Sequence, residues 1–393
     1  MINLTRLLCD APQPADGLRY GLGRGAPTAA AARKPVVVWN ITRRCNLRCA
    51  HCYSDSTARH YPGELTLAQM RATLDDLAAF GIPGLLLSGG EPLIHPSFFD
   101  IAGHARSLGI RLTLSTNGTL IDAAAAERLK ALGFAYVGIS LDGIGETHDA
   151  FRGRPGAFAK AVAAFGHLRS VEQKSGLRLT LTQHTVRDLD RILDFVEAED
   201  IRRVCFYHLV YSGRGAQLEL LEPRETRRSL DRIMARVEKW HRAGQPREVL
   251  TVDQPADGAY VWIRQAGLDP EAAARTLELL RWNGGGNHSS GTGVANIDTQ
   301  GAVHPDQFWQ SHTLGNVKSE PFSRIWSRTD DAVLNGLRSS ARPLEGRCAG
   351  CRFRDICGGG FRVRAWQRHG RVWAEDPGCH LSDEEIFAPA PGI

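Results

Sequence analysis

The stretch PVVVWNITRRCNLRCAHCY, residues 35 to 53, sets a short β-branched run directly before three cysteines, Cys45, Cys49 and Cys52. The run PVVVWN (35–40) predicts a buried strand, which delivers the thiols on the loop beyond its C-terminal end. Three thiolates so spaced can hold three irons of a cubane cluster, since such clusters are cysteine-ligated. No fourth cysteine lies nearby; the next is Cys205. A structural zinc site closes with four ligands, and His51, locked between two of the cysteines, has little freedom to be the fourth. The loop therefore leaves one position open, as a catalytic metal site does.

Outward from this loop, comparable runs recur at LLLS (85–88), RLTLS (111–115), YVGISL (136–141), LRLTLTQ (177–183) and RVCFYHL (203–209). Helical patterns separate them. In TLAQMRATLDDLAAFG (66–81), Leu67, Met70, Leu74 and Leu77 share a face, Thr66 and Gln69 have capping-box spacing, and Gly81 ends the helix. IDAAAAERLKALG (121–133) predicts another helix closed by a glycine. Six strand–helix units in a row predict an α/β fold with a parallel sheet, curled into a partial (β/α)6 barrel. Active sites of such barrels lie at the C-terminal strand ends. SGGEP (88–92), STNG (115–118) and SLDG (140–143) all fall there.

The organisation expected is a flexible N-terminal segment (1–34) of linker-like Ala, Pro and Gly composition, a barrel core (35–220), a helical connection (221–283) and a smaller C-terminal domain (284–393). That domain opens with the glycine cluster NGGGNHSSGTG (283–293) and carries Cys348, Cys351, Cys357 and Cys379. These four thiolates fit either zinc or a second cluster.

Bulk properties narrow the function. The chain has 393 residues, 42% apolar and 23% charged, with 41 glycines and a net charge of +5. The arginines are dispersed rather than gathered, so no nucleic-acid partner is expected. No run of 18 apolar residues exists, so neither is a membrane span. Arg6 and Asp10 interrupt MINLTRLLCDAPQP, so it is not expected to be a secretory signal. Nine clustered cysteines, an odd number, suit metal or redox chemistry in a reducing cytoplasm better than a disulfide framework. Cys9 and Cys205 belong to neither set, and Cys205 reads as a buried small hydrophobe.

With these motifs in order, the sequence resembles the radical S-adenosylmethionine (SAM) enzymes, whose signature is Cys-x3-Cys-x2-Cys after the first strand. The resemblance implies a 4Fe-4S cluster on Cys45, Cys49 and Cys52, with its fourth iron free for the amino and carboxylate groups of SAM. It implies that Gly89, Gly90 and Glu91 hold the SAM amino group, Ser140 and Arg152 the carboxylate, and Leu209 the adenine, with His51 beside that ring. Reductive cleavage of SAM would give a 5′-deoxyadenosyl radical, so a flavodoxin or ferredoxin-type reductant is implied. The C-terminal cysteines resemble the SPASM extension, which carries auxiliary 4Fe-4S clusters. Ser290, Gly301, Asp306 and Phe361 stand where a complete SPASM region has further elements, so one auxiliary cluster is expected, and a cavity in place of the other.

A narrower resemblance covers nearly the whole chain. HLVYSGRG (208–215), HPDQFW (304–309) and CRFRDICGGGFRVRAWQ (351–367) resemble the NirJ family of haem d1 biosynthesis. It implies removal of two propionates from the tetrapyrrole 12,18-didecarboxysirohaem. On that reading His208, Tyr211, Arg214, His304 and Asp306 are the candidate substrate contacts, a histidine ligating the substrate iron and an arginine clamping a propionate. The alternatives are an iron-coproporphyrin decarboxylase (a haem synthase) and a peptide-modifying SPASM enzyme, for which 34 leading residues leave no room for a peptide-binding domain. A non-catalytic electron carrier would not need the SAM motifs.

Overall fold

The computed structural model describes residues 1–20, 34–328 and 330–388. Its strands are β1 (Ile2–Asn3), β2 (Val36–Asn40), β3 (Leu85–Ser88), β4 (Leu112–Thr116), β5 (Tyr136–Ser140), β6 (Ser175–Leu181), β7 (Arg203–His208), β8 (Glu248–Val252), β9 (Val294–Ile297), β10 (Ala302–His304) and β11 (Gly315–Asn316). They form one open mixed sheet in the order β1-β8-β7-β6-β5-β4-β3-β2-β9-β10-β11. From β2 to β8 neighbours are parallel and follow chain order. That is what successive right-handed strand–helix–strand crossovers produce. β9 adds parallel to β2, whereas β10, β11 and β1 are antiparallel additions.

Side chains alternate across each strand. Val37, Trp39, Leu85, Leu87, Leu112, Leu114, Val137, Ile139, Leu177 and Leu179 face the helices and are almost wholly buried. Their neighbours Val38, Leu86, Ser88, Ser115, Ser140, Arg178 and Thr180 face a central cavity. The helix Leu67–Phe80 begins with the expected reciprocal Thr66–Gln69 capping box and ends at Gly81, φ 80°. Met70, Leu74 and Leu77 are buried on its inner face, while Leu67 is only partly covered. The helix Ala123–Ala131 is followed by Gly133 at φ 68°. Among the described residues no helix is long and apolar enough to cross a membrane.

Two expectations are corrected. Residues 1–20 are not a flexible lead-in. β1 pairs with β8, Leu4, Leu7 and Tyr20 enter the main core, and Arg19 joins Asp16 (3.2 Å) and Glu248 (2.6 Å). An otherwise open edge of β8 is thereby covered, which offsets the exposure of its unpaired backbone groups. The rest of that expected segment, residues 21–33, lies outside the described residues. The connection 221–283 is not purely helical either, because EVLTV (248–252) supplies β8 between the helices Pro223–Arg242 and Ala256–Ala266. One apolar core runs from Ile2 to Ile386 across the boundaries expected at 220 and 283.

Candidate active site

The loop beyond Asn40 carries Cys45, Cys49 and Cys52 into one small apolar cluster with Leu47 and Ala157. Protein N–H groups point at the sulfurs. Leu47 N donates to Cys45 Sγ (3.4 Å), Ser56 N to Cys52 Sγ (3.3 Å), and Arg152 Nη1 to Cys49 Sγ (3.5 Å). Burial pushes the Cys45 thiol up to about 12 and raises Cys49 as well. A thiolate is stable in such surroundings when a bound cation takes its charge, which matches donors that ligate iron. Among the described residues no three His, Cys, Asp or Glu side chains converge as ligands of a single ion. A cubane is wider than an ion and takes thiolates that stand around it. The residues present fit a cluster.

Gly89 and Gly90 explain how this loop is seated. A Cβ on Gly89 would stand 2.3 Å from Thr42 O, and one on Gly90 2.3 Å from Arg44 O. With no side chain there, Gly90 N donates to Thr42 O (2.7 Å) and Glu91 N to Arg44 O (2.9 Å). The Glu91 carboxylate is fully buried and accepts from Thr116 Oγ1 (2.8 Å), Asn117 N (2.8 Å) and Leu93 N (3.1 Å). Burial raises its carboxyl to about 7. The side chain thus ties the end of β3 to that of β4 and does not line the cavity, so any contact of this element with an amino group falls to its backbone.

A cavity opens at the strand ends, lined by residues of the cysteine loop and of β2 to β7. His51, Ser140, Arg152 and Leu209, expected around SAM, all line it. The His51 ring stacks on Phe151 with centroids 4.7 Å apart, and burial lowers its pKa to about 4. Arg152 is ion-paired with Asp142, which also accepts from Thr180 N (2.8 Å). Burial alone would raise the Asp142 carboxyl, but Arg152 and then His51 hold it below the usual range. His51 Nδ1 and Arg152 Nε are buried without hydrogen-bond partners, and so stand ready for a ligand.

The expected substrate residues divide. His208 lines the cavity, with Nε2 2.9 Å from Asp257 Oδ2; the other oxygen of Asp257 meets His380 Nε2 at 3.0 Å. Tyr211 is not on the cavity wall; it is half-buried near Glu219 and Arg368, and burial raises its phenol. Arg214 is no free clamp. Its Nε donates to Cys49 O (2.8 Å), Nη1 to Asp55 Oδ1 (2.7 Å) and Nη2 to Ser56 O (3.0 Å), so it braces the cysteine loop. His304 and Asp306 also lie elsewhere. His304 Nδ1 meets His312 O at 2.9 Å, and Asp306 caps the turn by accepting from Phe308 N (2.8 Å) and Trp309 N (3.1 Å). From the same segment Gln307 and Phe308 reach the cavity instead.

The cavity expected in place of an inner auxiliary cluster is filled. Ser290 Oγ donates to Asp306 Oδ2, and Phe361 packs with Val210, Trp309, Leu337, Val363 and Val372. Phe308 meets Phe361 edge-on at 5.8 Å. By contrast Cys348, Cys351, Cys357 and Cys379 share the wall of a second cavity. Burial raises Cys357 strongly and takes Cys379 to about 11. Beside it, the fully buried pair Arg364–Asp376 (two bonds of 2.8 Å) fixes the preceding turn, since Phe361 N and Gly378 N also donate to Asp376. Sequence reasoning missed Arg178, Tyr207, Tyr53 and Asp253 on the first cavity. The alternation in LRLTL, which puts Arg178 and Thr180 on one face, was the available signal.

Residues 39–196 match the model of the radical SAM superfamily. The chain is 45% identical over 397 residues to Fe-coproporphyrin III synthase of Methanosarcina barkeri, spanning 98% of this chain and 99% of that one. The chain belongs to the radical SAM superfamily. Pre-heme d1 synthase of Dinoroseobacter shibae is also 45% identical, over 93% of this chain and 89% of its own. The fold is shared with Streptococcus suis SuiB bound to SAM, a solved structure with a TM-score of 0.68 at 16% identity, covering 89% of this chain and 78% of that one. As a radical SAM enzyme, homologous to tetrapyrrole-modifying synthases, the protein uses SAM and a 4Fe-4S cluster.

Proposed function

We propose that this radical SAM enzyme removes two propionate side chains from 12,18-didecarboxysirohaem on the route to haem d1. The observation that carries the reading is the 45% identity to Pre-heme d1 synthase over most of both chains. Equal identity to Fe-coproporphyrin III synthase, over a longer span, favours a second reading in which Fe-coproporphyrin III is the product.

In either case Cys45, Cys49 and Cys52 would hold the SAM-binding cluster, and bound SAM would supply a 5′-deoxyadenosyl radical on reduction. The chain's own residues orient and shield. Ser140 and Arg152 would take the SAM carboxylate. The His51–Phe151 stack and Leu209 would flank the adenine, and the backbone at Gly89 and Gly90 would meet the amino group. His208, which lines the cavity and is oriented by Asp257, would ligate the substrate iron. Cys348, Cys351, Cys357 and Cys379 would hold an auxiliary 4Fe-4S cluster, and a flavodoxin or ferredoxin-type protein in the cytoplasm would supply electrons.

Anaerobic turnover with SAM and dithionite tests this by product mass. 12,18-Didecarboxysirohaem losing two propionates supports the first reading, whereas its conversion to Fe-coproporphyrin III supports the second. If instead only supplied iron-coproporphyrin is consumed, the haem synthase alternative holds and both readings fail.

A further inference from the structure

Arg178 sits on the inward face of β6, within the sheet, where a charge is costly unless it is paired. Among the described residues it has no carboxylate partner and no hydrogen-bond acceptor. Around it are the phenols of Tyr207, Tyr136 and Tyr53 and the Cys205 thiol, and the Tyr207 ring centre lies 4.8 Å from the guanidinium carbon. A cation over an aromatic face keeps its N–H groups available to a ligand. The fold makes room for it. A Cβ on Gly138 would stand 2.5 Å from Arg178 Cδ, so the side chain crosses β5 where that strand carries none.

Position separates Arg178 from the cofactor residues. Its backbone is level with Ser140 on the neighbouring strand, but its side chain crosses Gly138, two residues nearer the start of β5. It therefore lies deeper in the sheet than the cysteine loop, on the cavity floor. The other cavity-wall arginine, Arg152, already has Asp142. Asp253, also on the wall, forms no ion pair with Arg178. Arg178 is thus a half-buried cation facing the cavity with its planar fork unused, the arrangement that receives a carboxylate bidentately.

We infer that Arg178 is the carboxylate-binding residue of the cavity and holds one propionate arm of the substrate. This rests on the tetrapyrrole reading and adds to it the residue that orients the ring. The chemistry recognised is a carboxylate, which SAM also carries, so the test must separate the two sources.

The probes are iron-coproporphyrin III and its tetramethyl ester, titrated by visible absorption into the reconstituted holoenzyme. Wild type should bind the acid about 30-fold more tightly than the ester, the value of a charge-assisted pair. In Arg178→Gln that preference should fall to near unity by weakening of the acid alone. Arg178→Lys, which keeps the charge and loses the fork, should fall between and remains informative if the glutamine variant does not fold. SAM affinity by equilibrium dialysis should be unchanged in both variants. An intact acid preference in Arg178→Gln overturns the inference, and so does a loss confined to SAM affinity, which would give Arg178 to the cofactor. Equal binding of acid and ester by wild type sinks the Arg178 assignment while the tetrapyrrole reading stands. Binding of neither probe removes both.

Discussion

Replacing Arg214 by methionine distinguishes a brace of the cysteine loop from a clamp on substrate. Three bonds are lost, to Cys49 O, Asp55 and Ser56 O. The Arg214 side chain is 13% exposed, but Asp55 is 48% exposed, so the ion pair adds little, ~0–1 kcal/mol. The two carbonyl bonds to a charged donor set the scale at ~1.5 kcal/mol each, which totals about 3 kcal/mol. If the ordered loop is the form that binds the cluster, the change weakens cluster retention by the same free energy, roughly 100-fold. The assay is iron and sulfide retained on Cys45, Cys49 and Cys52 against a graded chelator, run in parallel with iron-coproporphyrin titration. The expected result is a cluster lost at far lower chelator concentration, with tetrapyrrole affinity of loaded protein little changed. Normal retention together with weakened tetrapyrrole binding would refute the brace and restore Arg214 as a propionate clamp.

Alanine at Cys45, Cys49 or Cys52 should abolish 5′-deoxyadenosine formation, whereas alanine at Cys348, Cys351, Cys357 or Cys379 should cost about four irons per chain, one cubane's complement; zinc at the second set would contradict the assignment. Arg364→Met leaves the fully buried Asp376 carboxylate without its ion pair, so denaturant unfolding should register a loss of ~3–5 kcal/mol, and a change below about 1 kcal/mol would mean the pair is dispensable. His148 is buried and its Nδ1 accepts from Asp142 N (3.1 Å); burial, then Arg152, lowers its pKa from 6.5 to about 4. Because the folded value is the lower one, the unfolded chain binds the extra proton, and stability is full above about pH 6.5 and lost as pH falls toward 4, by ~3 kcal/mol. In His148→Asn this part of the acid slope should disappear from unfolding curves of the metal-free protein, and an unchanged slope would contradict the buried neutral imidazole.

The six parallel strands and the cysteine loop were legible because each is local: a β-branched run, then a motif just after it. β8 was hidden by its setting, since EVLTV sits between two helices and declares itself only by pairing with β7 and β1. The first twenty residues were misread for the same reason, their few apolar positions making sense only against that edge. At the site, residue type pointed to the right segment but not to the side chain. In HPDQFW the turn at Pro305 sends Asp306 into capping and Gln307 and Phe308 into the cavity. Arg214 follows the sixth barrel strand in sequence, yet the carbonyls that claim its guanidinium come from residues about 160 positions away, which periodicity cannot register.

The central claim, that a SAM-derived radical attacks a propionate arm of a bound tetrapyrrole, is tested most directly by isotope transfer. 12,18-Didecarboxysirohaem deuterated on its propionate side chains is incubated with the reduced, reconstituted enzyme and SAM, and the 5′-deoxyadenosine is analysed by mass spectrometry. The account predicts deuterium in the 5′-deoxyadenosine, accumulating in step with side-chain loss. Unlabelled 5′-deoxyadenosine alongside an unaltered tetrapyrrole would contradict it.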